Sequence, residues 1–144
     1  MTRFSDRVAE WRGVKCERVE ALIEYEPDST GVAPVFDTVI EFSDGTRLLT
    51  GYWRLTKKAR PVRSIFDHGL RYGLPAPIDA LAVLRDELVG QGLLAAEMDQ
   101  TTADLRFIFE GELRLEVFNF TGFEAWELKF PDGTVEWSNY ALAD

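Results

Sequence analysis

Apolar and polar residues alternate with the two-residue period of a β-strand over most of this chain, and with a helical period over only two short stretches. Ser5 to Trp11 predicts a short helix, with Ser5 as its N-cap, Val8 and Trp11 on one face and Gly13 as its stop. From Cys16 to Tyr25, Val19, Ala21, Ile23 and Tyr25 alternate with Arg18, Glu20 and Glu24, a half-buried strand broken in pattern only by Leu22. Residues 26–31 are dense in turn formers and predict a loop. Two strands follow, near Phe36 to Phe42 and Arg47 to Leu55, joined at Asp44-Gly45 by a hairpin turn in which glycine accepts a positive φ. Gly69, Gly73, Pro75 and Pro77 then resist regular structure. Pro77 suits the first turn of a second helix, in which Ile78, Leu81, Leu84 and Leu88 recur at helical spacing up to Gly90. Leu93 to Met98 reads as a strand, and four more strands in succession carry Leu105/Phe107/Phe109, Leu113/Leu115/Val117, Trp126/Leu128/Phe130 and Val135/Trp137.

These elements predict an α+β fold: an antiparallel β-meander sheet with one or two short helices packed on it. The chain divides into an N-terminal helix or arm (1–14), a first meander (15–55), a basic loop and helix (56–92) and a second meander (93–140), within one domain. Phe42-Ser43-Asp44-Gly45-Thr46 and Phe130-Pro131-Asp132-Gly133-Thr134 share Phe, Asp, Gly and Thr at equal offsets. Two related halves would produce that match, and so would hairpin chemistry acting twice.

Composition narrows the function classes. The chain has 144 residues, 46% apolar and 12% aromatic, enough for a sizeable core. No apolar run approaches the length of a membrane span and no signal-peptide core follows the N-terminus, so a cytoplasmic protein that does not enter the membrane is expected. The net charge of −9 opposes nucleic-acid binding, which needs a basic surface. Within that acidity, residues 54–71 carry Arg54, Lys57, Lys58, Arg60, Arg63 and Arg71 against a single acid, Asp67, and read as a basic, solvated loop, with contact to an anion or a partner as the alternative. Cys16 and His68 are the only residues of their types, so no internal disulfide and no cysteine- or histidine-rich metal site is expected, and no Gly-rich phosphate loop is present. No cofactor and no metal is expected.

Two clusters carry what chemistry there is. Asp67-His68-Gly69 places a carboxylate beside an imidazole, the makings of a general base, although adjacent side chains seldom point at each other and a histidine bonded to backbone is the plainer reading. Glu124 follows the Thr121-Gly122-Phe123 turn and shares strand parity with Trp126, which puts it at the rim of the core, while Glu112, Glu116 and Glu127 read as a solvated sheet surface. The aromatics Tyr52, Trp53, Phe118, Phe120 and Phe123 exceed what one inward face needs. Some must point outward, to be covered by the rest of the chain or to anchor a partner.

Three motifs, Trp53-Arg54-Leu55, Asp67-His68-Gly69 and Gly122-Phe123-Glu124-Ala125-Trp126, together with Tyr72-Gly73-Leu74-Pro75 and Asp104-Leu105, resemble a group of uncharacterised small bacterial proteins over residues 15 to 140. There Gly-Tyr-Glu-x-Trp stands where Phe123 here lacks the hydroxyl. The resemblance implies no activity. Small acidic α+β proteins also include bacterial immunity proteins, an analogy of size, charge and class. The sequence therefore predicts a non-enzymatic binding protein, in one form an immunity-type inhibitor of a basic toxin, with Trp53, Asp67, His68, Phe123, Glu124 and Trp126 at its contact surface. The alternative is a small hydrolase or ligand-binding protein with Asp67, His68 and Glu124 around a cleft. A homodimer formed through an exposed edge strand is a further expectation.

Overall fold

The computed structural model describes residues 4–22, 37–120 and 125–138. The fold is α+β: two antiparallel sheets of five strands each, with two short helices. Helix α1 (Phe4–Glu10) precedes β1 (Cys16–Leu22), β2 (Asp37–Phe42) and β3 (Arg47–Thr50); β4 (Trp53–Lys57) and β5 (Arg60–Ser64) follow. After a 3-10 turn at Ile65–Asp67 come α2 (Ala80–Leu88), β6 (Leu93–Met98), β7 (Leu105–Phe109), β8 (Leu113–Val117), β9 (Trp126–Lys129) and β10 (Val135–Trp137). Sheet I has the order β1-β2-β3-β9-β10 and sheet II the order β5-β4-β8-β7-β6.

The single meanders expected from sequence are each split between sheets. Residues 47–55 are two strands: Thr50 pairs with Trp126 in sheet I, whereas Trp53 pairs with Val117 in sheet II. The buried positions show the break, running Leu48, Thr50 on one side of Gly51 and Trp53, Leu55 on the other. An even-to-odd change of parity is what a chain does when it leaves one sheet and turns its core side toward the other. The final four strands divide in the same way, β7-β8 in sheet II and β9-β10 in sheet I.

The basic island is likewise a hairpin, β4 to β5, and not a loop until residue 65. Its turn is made by Lys58 and Ala59, both left-handed (φ 53° and 60°), the conformation of a tight hairpin turn without the glycine or asparagine that usually announces it. Pro61 is tolerated because β5 is an edge strand with a bulge opposite Leu55 and Thr56. Helix α2 starts after Asp79, whose carboxylate accepts the Ala82 N–H at 3.0 Å, so Pro77 precedes the helix and does not form its first turn.

Element by element the two halves of the chain match. Each runs helix, three-stranded meander, then a hairpin delivered to the other half's sheet, so that β1-β2-β3-β9-β10 and β6-β7-β8-β4-β5 are the same arrangement with the halves exchanged. The junction between them is reciprocal: Gly13 N–H bonds Leu93 O and Gly90 N–H bonds Cys16 O, while Cys16 N–H bonds Gln91 O and Leu93 N–H bonds Val14 O. Trp53-Arg54-Leu55 matches Trp126-Glu127-Leu128, with both tryptophans and both leucines buried. The repeat visible in the sequence is a different one. The two Phe-x-Asp-Gly-Thr turns lie in one sheet, where Asp132 pairs with Arg7 in α1 and Asp44 accepts the indole N–H of Trp11 just after it, so both turns hold the N-terminal segment.

The sheets pack face to face over one continuous apolar core to which Phe42, Trp53, Phe107, Phe109, Trp126 and Leu128 contribute. Phe42 and Phe109, equivalent positions in the two halves, stack across it at 6.3 Å. Each buried indole has a polar tether: Trp53 donates to Thr38 Oγ1 at 2.9 Å and Trp126 to the Ala103 carbonyl at 2.8 Å.

Candidate functional site

Of the six residues predicted to form a contact surface, Trp53 and Trp126 are in the core, at 0% and 2% exposure. An indole with no accessible area cannot touch a partner, so this expectation is corrected: both tryptophans hold the two sheets together. Phe123 and Glu124 lie outside the described residues.

Asp67 and His68 are half-buried at the start of the 65–79 loop, and their bonds run in different directions. The Asp67 carboxylate accepts the Ser64 N–H at 2.9 Å and the Tyr72 hydroxyl at 2.9 Å. Imidazole Nδ1 of His68 accepts the Ala80 N–H at 3.1 Å, capping the first turn of α2, and its carboxylate neighbour at 3.9 Å is Asp79. Asp67 therefore does not orient His68, and the pair does not have the geometry of a carboxylate-imidazole base. Glu116 is paired with Arg54, and Glu112 lies in the turn between β7 and β8, so these acids do not form a catalytic carboxylate pair. Among the described residues no group of three or more His, Cys, Asp or Glu is placed to hold a metal ion.

The aromatic surplus does gather at a surface. Tyr52 and Phe118 are cross-strand neighbours on the outer face of sheet II, joined by the Phe118 N–H to Tyr52 O bond at 3.0 Å, and their parity is that of Arg54 and Glu116. The Tyr52 ring stacks on Phe66 at 5.0 Å and meets Phe120 edge-on at 4.0 Å. Phe66 and Phe120 are nevertheless 65% and 58% exposed. Arg54 closes the inner end of this cluster, its guanidinium 5.3 Å from the Phe118 ring centre.

No protein-family model, curated protein or solved structure matches this chain. The 65–79 loop beside the cluster turns Leu70, Tyr72 and Leu74 outward together with Phe66, so that five of the eight large exposed apolar side chains among the described residues belong to this loop or to Phe120. The loop is held in place all the same. Gly69 N–H bonds Ile78 O and Ile78 N–H bonds Leu70 O, both at 2.8 Å, Ile78 is buried as its anchor, and Asp67 ties Ser64 to Tyr72. The hydrogen bond to the Asp67 carboxylate raises the Tyr72 phenol above its ordinary range, which keeps that tie protonated. The sequence signal was the surplus of aromatics around residues 52 and 118–120. Phe66 escaped notice because it sits in a 3-10 turn inside a run dominated by arginines.

Charge on this face does not follow the charge of the chain. Across sheet II the outward row reads Arg54, Glu116, Arg106, Glu97, with Arg54 paired to Glu116 and Arg106 to Glu97 at 2.9 Å. The next row holds Thr56, Arg114 and Ile108, flanked by Lys58 in the β4–β5 turn and Arg60 at the start of β5. This face is therefore not an acidic one.

Proposed function

We propose that the protein is a non-catalytic binding module whose contact surface is the aromatic end of sheet II, formed by Tyr52, Phe66, Phe118 and Phe120 with the neighbouring 65–74 loop. One observation carries this reading: a loop pinned by its own hydrogen bonds holds large apolar side chains out in water, beside rings that already stack on one another. A loop serving only as a connection gains nothing from that exposure, because the same bonds could hold polar side chains. A preorganised aromatic cluster, in contrast, loses little conformational freedom when a partner covers it. The narrower form, an immunity-type inhibitor of a basic toxin, is supported by the net charge of −9 and by no feature of this face. Its own test is co-expression with the product of the adjacent gene.

The binding reading is tested by a photo-crosslinking amino acid placed at position 66 or 120 of the full chain, in cells that express it naturally, with position 18 on β1 as control. A discrete adduct from 66 and 120 and none from 18 is expected. Phe66→Ser with Phe120→Ser should abolish the adduct's co-purified partner while the melting temperature stays within a few degrees, since neither ring is buried. Equal labelling from all three positions refutes the proposal.

A further inference from the structure

We infer that the groove adjoining the aromatic cluster receives an acidic, extended polypeptide segment of the partner. This rests on the binding reading above and specifies the partner's chemistry. The groove, about 780 Å³ in volume, crosses the outer face of sheet II between β5 and β7. Its floor is Thr56, Pro61 and Ile108, apolar or neutral, and cations stand along its walls. Arg54 is already neutralised by Glu116. Lys58 and Arg114 on the groove, and Arg60 next to it in the chain, are exposed and form no ion pair among the described residues. Glu112 is the one acid on the groove left to oppose them. The local balance is positive on a chain of net charge −9, and because salt screens charges beyond about 8 Å, an approaching segment responds to this balance and not to the total.

The spacing of the two features defines the segment. Tyr52 and Thr56 are four residues apart along one strand direction, about 13 Å at the usual rise, so a large apolar side chain on the aromatic cluster and an acidic one beside Arg114 fit a stretched segment with about three residues between them. Recognition falls to side chains here, since Pro61 has no N–H to offer a pairing strand. Spaced carboxylates suit this face better than a nucleic-acid backbone, whose continuous phosphates would be brought against Glu116 and Glu97 in the neighbouring row.

The probe is a fluorescein-labelled peptide, Trp-Ser-Gly-Ser-Glu-Glu-Glu, titrated against the full chain by fluorescence anisotropy at low and physiological salt. Its lysine counterpart and a twelve-residue oligo-dT serve as the competing chemistries. Saturable binding of the acidic peptide alone is expected, weakened at least tenfold by Lys58→Glu with Arg114→Glu, and weakened in part by the milder Arg114→Gln should the double variant fold poorly. Preference for the lysine peptide or for oligo-dT, or no saturation by the acidic peptide below about 1 mM, overturns the inference. Binding that is lost in Phe66→Ser/Phe120→Ser but unchanged in Lys58→Glu/Arg114→Glu also overturns it, while leaving the aromatic contact surface in place. Peptide binding indifferent to the phenylalanine pair counts against the contact surface itself.

Discussion

Trp53→Phe and Trp126→Phe form a matched pair of perturbations, one in each half of the chain. Phenylalanine keeps the aromatic body and removes the pyrrole edge with its N–H. At position 53 this orphans Thr38 Oγ1, and at position 126 the Ala103 carbonyl; Thr38 and Ala103 are both 0% exposed, so water does not substitute without entering the core. An orphaned buried acceptor costs about 1–3 kcal/mol. The missing ring atoms add a small cavity that the stiff sheets on either side fill incompletely, about another 1 kcal/mol. Each variant should therefore lose roughly 2–4 kcal/mol, a large share of the ~5–15 kcal/mol that holds a domain folded. Urea unfolding followed by far-ultraviolet circular dichroism measures it, with an unchanged slope confirming that the folded state is otherwise intact. If the two sites are equivalent, their losses agree within about 1 kcal/mol. A loss below about 0.5 kcal/mol at either site, the range of an ordinary surface substitution, would show that the tether and burial described here do not hold that indole.

Two further outcomes follow from particular groups. Burial raises the Cys16 thiol to about 12, from 9.0 unperturbed. The folded state thus keeps its proton where the unfolded chain loses it, so the contribution is complete below pH 9 and declines as pH rises toward 12, by about 1 kcal/mol at pH 10. Cys16→Ser, whose hydroxyl does not titrate in this range, should flatten that part of the stability profile, and a thiol reagent at pH 8 should label the wild type only as fast as the protein opens. Rapid labelling in native buffer contradicts the burial. Gly13 and Gly90 occupy equivalent places at the junction of the halves, at φ 84° and 90°, with nothing within 4 Å of an added Cβ at either. Alanine there should cost about 1 kcal/mol from backbone strain alone, equally at the two positions by thermal unfolding. A cost at one and none at the other contradicts their equivalence.

How far the sequence revealed the protein differs between fold and site. The sequence pattern placed eight strands over nine of the ten described, seven by alternation, because a period of two is imposed locally by the pleat and survives whatever the strand pairs with, and β6 by the glycines before it. It missed β5, whose turn residues Lys58 and Ala59 lack the usual turn chemistry and whose Pro61 argues against a strand until its edge position is known. It also joined β3 to β4, because Gly51 and Tyr52 interrupt the alternation by only one step. The contact surface was legible only as an excess: too many aromatics near residues 52 and 120 for one core face.

Local pattern alone settled the α+β class, the two short helices and the hairpin at Asp44-Gly45. Each depends on neighbours within a few residues. Partner choice between strands, and with it the exchange of hairpins between the halves, was decided only in three dimensions. So were the inward placing of Trp53 and Trp126, the outward placing of Tyr52 and Phe118, and the gathering of Phe66 and Phe120, 54 positions apart in the chain, around the Tyr52 ring. The physical reason is that parity fixes which side chains share a face but not which face is covered. In this protein a second sheet, built from three strands of one half of the chain and two of the other, covers one face and leaves the other to water.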